Sequence, residues 1–358
     1  MLVLRLAGAE AGGAAVDIVA EICGGRASAP GTEGAGTEGA GTEGAGSGPL
    51  PLGGEWTIRA TLAALACDAL LAVLPCPVGL DPATAVVWEA AAEAGLPRAV
   101  LVTGLAAEGA PDFEDLAAIA ERALGSECLP ARLPVWDDGN VPAASLNLAD
   151  LTIAAPHPVP ADPEHAAVAA PSRDALVAAL SVLADDAFAA SVSVGLTPGG
   201  VDSELGAALV RGELAPIWPD TSDGAWAGDL MGALKTGAGA GLLAAPADRL
   251  VRRDAQGDPG TGSAAVVIAS PERNTCLVRS VFGELPAQGA VVVTCCGPDG
   301  LGRPQPYRSW PTAIEDLPAP AAALAGAAGL RAVRSVMAAL PGEVLADSQT
   351  WLLPAAQD

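Results

Sequence analysis

From Thr57 to Gly125 the chain passes back and forth between helical and strand periodicity, and this alternation restricts the fold more than any other feature. Thr57–Ala66 reads as a helix and Ala69–Leu74 as a buried strand. Asp81 and Pro82 carry the cap and first-turn signals of a helix running to about Ala94. Ala99–Thr103 is again a strand. Asp112 then opens a helix whose Phe113, Leu116, Ile119 and Leu124 fall on one face, with Gly125 closing it. Repeated strand–helix–strand units predict an α/β fold, a mainly parallel sheet flanked by helices with right-handed crossovers.

The flanking sequence extends the pattern. Leu2–Leu6 reads as a strand, and Ala14–Cys23 as a helix stopped by Gly24-Gly25. Residues 31–45 repeat GTEGA three times, and this Gly-rich stretch predicts a disordered loop over about 27–54. Residues 130–205, richer in Pro, read as an inserted subdomain with an Ala-rich helix over Arg173–Ala184. Asp202 is read as the cap of a helix to Gly212, Leu214–Trp218 as a strand and Ala227–Leu234 as a helix. A polar break at Arg252–Gly262 ends this first domain, residues 1–250. Beyond it Ala264–Ile268, Thr275–Phe282, Ala290–Cys295 and Leu330–Met337 read as strands between Gly and Pro turns, predicting a small antiparallel β-barrel over 260–353.

Charge narrows the function classes. With 18 basic against 42 acidic residues the net charge is −24, which disfavours direct nucleic-acid binding because phosphate is held by Lys and Arg. No uninterrupted apolar run reaches membrane-spanning length, and residues 1–16 lack a secretory apolar core, so no membrane span and a cytoplasmic location are expected. Seven cysteines without a C-x-x-C pair, and only His157 and His165 besides, predict free thiols and no metal site. Asp137-Asp138 and Asp185-Asp186 read as solvated turns and helix ends. Ser181, Ser191 and Ser193 lack a nucleophile setting, the two histidines fall in what reads as an exposed linker, and Trp56, Trp88 and Trp226 read as core.

Three stretches carry a family likeness. LLAVLPCPVGLDPATAVVWEAAAEAGLPRAVLVTGL (70–105), followed by APDFEDLAAIAERALG and LPARLPVWDDGNVPAASLNLADL, resembles elongation factor G from the strand after switch II into its inserted subdomain. TCLVRSVFGELPAQGAVVV (275–293) and GLRAVRSVMAALPGEVLAD (329–347) resemble its second domain, with Gly342-Glu343-Val344-Leu345 at the closing turn. The resemblance implies a translational GTPase fold, with a GTP- and Mg²⁺-binding G domain followed by a barrel.

The nucleotide motifs themselves are eroded. The phosphate loop, G-x-x-x-x-G-K-[ST], uses glycines so that backbone N–H groups face the phosphates, a Lys for the β/γ charge and a hydroxyl for Mg²⁺. The matching stretch keeps Gly8, Gly12 and Gly13 but has Ala14 for the Lys, Ala15 for the hydroxyl and Glu10 added. Switch I falls in or beside the GTEGA repeat, and switch II aligns with Pro49–Gly53 without its Asp or His. The guanine motif N-K-x-D aligns with Thr103-Gly104-Leu105-Ala106, leaving no carboxylate for the base, and the last motif with Thr221-Ser222-Asp223-Gly224. The expectation is therefore a vestigial site, with Gly8, Gly12, Gly13, Ala14 and Ala15 as the phosphate loop and Thr103, Gly104 and Ala106 as the guanine motif. No catalytic residue, metal or cofactor is expected. The chain reads as a non-enzymatic, elongation factor G-like pseudo-GTPase that binds a protein partner, with the translation apparatus as a candidate source. The alternative is a divergent translational GTPase that still takes GTP and Mg²⁺.

Overall fold

The structure is a computed structural model. It describes residues 2–10, 13–19, 54–76, 78–138, 140–154, 158–184, 188, 198–254, 259, 262–272, 275–285, 291–296, 302–309, 312–313, 330–334, 342–346 and 350–355. Most of the GTEGA loop, Gly12, the switch II segment, His157, Asp185-Asp186, Ser191 and Ser193 lie outside the described residues.

In chain order the first half comprises β1 (Val3–Glu10), β2 (Gly13–Val19), α1 (Gly54–Leu65), β3 (Ala69–Pro75), α2 (Pro82–Glu93), β4 (Arg98–Thr103), α3 (Phe113–Leu124) and β5 (Cys128–Pro130). A four-stranded antiparallel sheet follows: β6 (Arg132–Trp136), β7 (Pro142–Asn147), β8 (Thr152–Ala154) and β9 (Val159–Pro160). Then come α4 (Pro163–Leu183), α5 (Pro198–Val210), β10 (Ala215–Pro219), α6 (Ala225–Gly239) and the single turn α7 (Pro246–Arg249). The main sheet has the order β2-β1-β3-β4-β10-β5. Its last five strands are mutually parallel, and β2 is an antiparallel edge.

The α/β expectation is thus met, with one correction at its start. Gly13–Val19 is a strand antiparallel to β1, pairing Val3 with Val19 and Ala7 with Ala15, not the start of a helix over Ala14–Cys23. The run Val16-Asp17-Ile18-Val19 is β-branched at three of four positions and suits a strand. The ladder ends with Glu10 paired to Gly13.

Strand alternation divides the core between the two faces of the sheet. Leu70, Ala72 and Leu74 of β3 face α1, α2 and α3 with Val100 and Val102 of β4. Ala69 and Leu71 face α5 and α6 with Ala99, Leu101 and Trp218. α4 begins ten residues before the expected helix, capped by Asp162, which accepts from His165 N–H, and Pro171 lies inside it. It is long and apolar enough to cross a membrane. Yet Glu164, Arg173 and Asp174 stand along it, and Leu176, Val177 and Leu180 enter the core. α5 starts at Pro198, so Asp202 lies inside that helix and is not its cap.

The second half is β11 (Leu250–Asp254), β12 (Ala264–Glu272), β13 (Thr275–Phe282), β14 (Val291–Cys296), β15 (Gly302–Ser309), β16 (Thr312–Ala313), β17 (Leu330–Arg334), β18 (Val344–Ala346) and β19 (Thr350–Pro354). β11 pairs with β19, and the others form an antiparallel sheet in the order β15-β14-β18-β12-β13-β17-β16. Among the described residues no ladder joins its end strands, so closure into a barrel is not part of the described structure.

Both halves share one hydrophobic cluster. α1 lies between them: residues 59–65 are all buried, in contact with α2 on one side and with β12 and β19 on the other. Val266, Ile268, Val344 and Leu352 belong to the same cluster as Leu4, Leu65 and Leu70.

Cys67, Cys76 and Cys128 are free thiols and, like Cys276, buried. Burial pushes the Cys67 thiol, beside Asp68, from the ordinary 9.0 to about 12, and the same cause raises Cys128 to about 12. Both therefore stay protonated near neutrality and should resist iodoacetamide at pH 8 in the folded protein, reacting only in urea, as site-resolved mass spectrometry would read. Because the folded-state values lie above the unfolded one, stability should fall as pH rises from about 9 toward 12.

Candidate functional site

In open α/β sheets ligands bind beyond the carboxyl ends of the strands. Here that edge is built by the β1–β2 reversal, the β3–α2 loop Cys76–Asp81, the β4–α3 loop Gly104–Asp112 and the β10–α6 turn Asp220–Gly224. Together these segments carry Glu10, Asp81, Glu108, Asp112, Asp220 and Asp223 and no Lys or Arg.

The fold brings two of the eroded motifs together and keeps the third apart. Asp220 N–H donates to the Val102 carbonyl at 2.8 Å, seating Thr221–Gly224 beside Thr103–Ala106. Gly8, Gly13, Ala14 and Ala15 sit on the β1–β2 hairpin, with β3 intervening. No helix follows β1 directly, so the reversal lacks the helix N-terminus on which a phosphate loop depends. Thr103 ends β4, half-buried, and Ala106 is exposed. Gly104 has φ +73°, and a Cβ there would meet the Cys76 carbonyl oxygen at 2.7 Å. The position aligned with the guanine motif's Lys is therefore committed to glycine in this backbone.

Some edge carboxylates are occupied in holding the fold. Asp81 accepts from Ala83 N–H at 2.8 Å and caps α2 as expected. Asp223 was legible only as motif debris, yet it organises this corner. One oxygen accepts from Thr221 Oγ1 at 2.7 Å and Ala225 N at 3.0 Å, and the other from Ser145 N at 2.8 Å and Oγ at 3.1 Å. Nearby, Arg132 donates to both oxygens of Asp229 at 2.6 and 3.0 Å. Burial works against the Arg132 charge, but the Asp229 hydrogen bonds and surrounding carboxylates prevail and raise its pKa. This network ties the four-stranded sheet to α6. Asp202 accepts from Asn147 Nδ2 at 3.4 Å, and burial raises its pKa, favouring the neutral carboxyl.

Beside the β4–α3 loop lies a cleft of about 920 Å³, bounded by that loop, β6 and the start of α4. Its floor is Phe113, Leu133 and Leu146, all buried. Its walls include Trp136 and Val168, 40% and 67% exposed, and its rim Glu108, Asp112, Glu114 and Glu164. Asp112 stands at the N-cap of α3, but its side chain makes no capping hydrogen bond. His165, expected in a linker, lies in the first turn of α4. Its Nδ1 is 2.8 Å from Asp162, whose backbone and side-chain bonds with His165 lower that carboxyl's pKa. A smaller cavity of about 490 Å³ lies between α5 and α6, lined by Trp218 and bare Gly228 and Gly232. Chemically the carboxyl edge and its cleft suit cationic and apolar groups rather than phosphate.

No protein-family model and no curated protein matches the sequence. Among solved structures the chain is similar to ttk003000868 from Thermus thermophilus, with 17% identity and a TM-score of 0.49, over 85% of this chain and 44% of that one. The chain thus spans less than half the length of that protein. This is a similarity and no more, and the α/β assignment rests on the sheet topology itself.

Proposed function

We propose that the chain is an elongation factor G-like pseudo-GTPase: a G-domain scaffold with an appended antiparallel sheet, working as a non-enzymatic binding module in the cytoplasm. The observation that supports it is the carboxyl edge, where four connecting segments carry six carboxylates and no Lys or Arg, and where Arg132, just beyond β5, is already held by Asp229. A triphosphate brought there meets repulsion instead of the charge-assisted contacts, about 1.5–3 kcal/mol each, on which its binding depends. The partner is a protein, and the resemblance to elongation factor G makes the translation apparatus the first place to look.

Titration with a fluorescent GTP analogue and Mg²⁺ should give a flat trace. The double variant Ala14→Lys with Ala15→Thr should also stay flat, because it restores the side chains on a strand and not on a helix N-terminus. Saturable micromolar binding by the native protein would overturn the proposal in favour of a divergent GTPase.

A further inference from the structure

We propose that the cleft between the β4–α3 loop and α4 docks a basic protein segment bearing apolar side chains between its Lys or Arg residues. The inference rests on the binding-module reading and gives that module a site and a partner chemistry. The cleft is large enough for several side chains, at about 920 Å³. Its floor is apolar, so alternate residues of an entering segment find a place to bury. Its rim carboxylates, Glu108, Asp112, Glu114 and Glu164, are exposed and have no ion-pair partner among the described residues. Among the described residues no Lys or Arg lines the cleft. Four like charges held around one opening repel each other and are relieved by a cation. Trp136 offers an exposed ring to an ammonium or guanidinium, and aromatic residues of this kind anchor protein interfaces. Val168 continues the apolar surface onto α4 at 67% exposure, giving an entering apolar side chain a second contact. Charge complementarity selects a basic partner over an acidic or neutral one, and the net charge of −24 steers it in.

The probe is a short fluorescein-labelled peptide of alternating lysine and leucine, read by fluorescence anisotropy on the full chain. Binding should saturate and weaken about tenfold in the triple variant Glu108→Gln, Glu114→Gln, Glu164→Gln. A control triple, Glu89→Gln, Glu93→Gln, Asp174→Asn, removes the same charge away from the cleft and should bind as the native protein does. Trp136→Ala and, independently, Val168→Ser should separate anchoring from field. Trp136→Ala and Val168→Ser are each expected to weaken binding severalfold, with circular dichroism unchanged. Equal weakening in both triples, or equal affinity for a glutamate–leucine peptide, would overturn the site. So would native-like binding by both the Trp136 and Val168 variants. Loss of the site alongside a flat GTP trace leaves the pseudo-GTPase reading standing, whereas saturable GTP binding removes that reading whatever the peptide does.

Discussion

Asp68→Ala should cost about 3–5 kcal/mol, the range for removing one member of a buried charge pair. Asp68 is nearly inaccessible, at the turn into β3. One of its oxygens accepts from Leu2 N–H at 2.7 Å, fixing the start of β1, and the other accepts from Arg279 Nη2 of β13 at 2.8 Å. Behind it the buried Arg249 donates to the carbonyls of Leu65 and Cys67 at 3.2 and 2.6 Å. Burial lowers the Arg249 pKa, and Asp68 is the largest opposing influence. Alanine at 68 therefore strands the Arg279 guanidinium and the Leu2 N–H in a dry setting, and takes from Arg249 its largest opposing charge while leaving its carbonyl acceptors in place. Asp68→Asn keeps an acceptor for Leu2 and should cost about half as much. Urea unfolding of the two variants and native protein measures both costs. A loss below about 1 kcal/mol for the alanine variant would show that water replaces the carboxylate there.

The second large effect is expected at Gly342, where β12, β18 and α1 meet. Its φ is +84°, and a Cβ would fall 2.1 Å from the Arg59 carbonyl oxygen, with the Arg59 backbone close behind. The neighbouring ladder leaves little room to shift. Gly342 N–H donates to Val267 O at 2.7 Å, and Val267 N–H donates to Glu343 O at 2.8 Å. Gly342→Ala should cost about 3 kcal/mol, from left-handed backbone strain plus overpacking. Gly79 supplies the comparison: its φ is +85°, and nothing lies within 4 Å of its Cβ position. Gly79→Ala should therefore show the backbone contribution alone, about 1 kcal/mol. The difference in urea midpoints between the two variants isolates the contact, and equal costs would refute it.

What the sequence revealed depended on whether the deciding contacts were local. Asp81-Pro82 announced α2, and Phe113, Leu116 and Leu124 announced α3, because capping and helical spacing act over one or two turns. Asp162-Pro163 is the same signal as Asp81-Pro82, but the surrounding prolines and Pro171 made it read as linker. At the N-terminus, Gly24-Gly25 read as the stop of a helix, where Val16, Ile18 and Val19 favour a strand. The β6–β9 sheet was missed because its strands are short and carry prolines. The Asp68–Arg279 pair joins residues 211 apart, which no local pattern records. The cleft was equally hidden. Its rim comes from the β4–α3 loop, α3 and α4, and each acid alone reads as ordinary solvated surface.

The burial of residues 59–65 of α1 bears on the order of assembly. An isolated helix of its length is marginal in water, and a first turn is costly to nucleate. With residues 59–65 enclosed by both halves, neither sheet alone supplies the surroundings that hold this helix. The two sheets must therefore arrive together before it can persist, which makes α1 a late keystone and the chain a single cooperative unit.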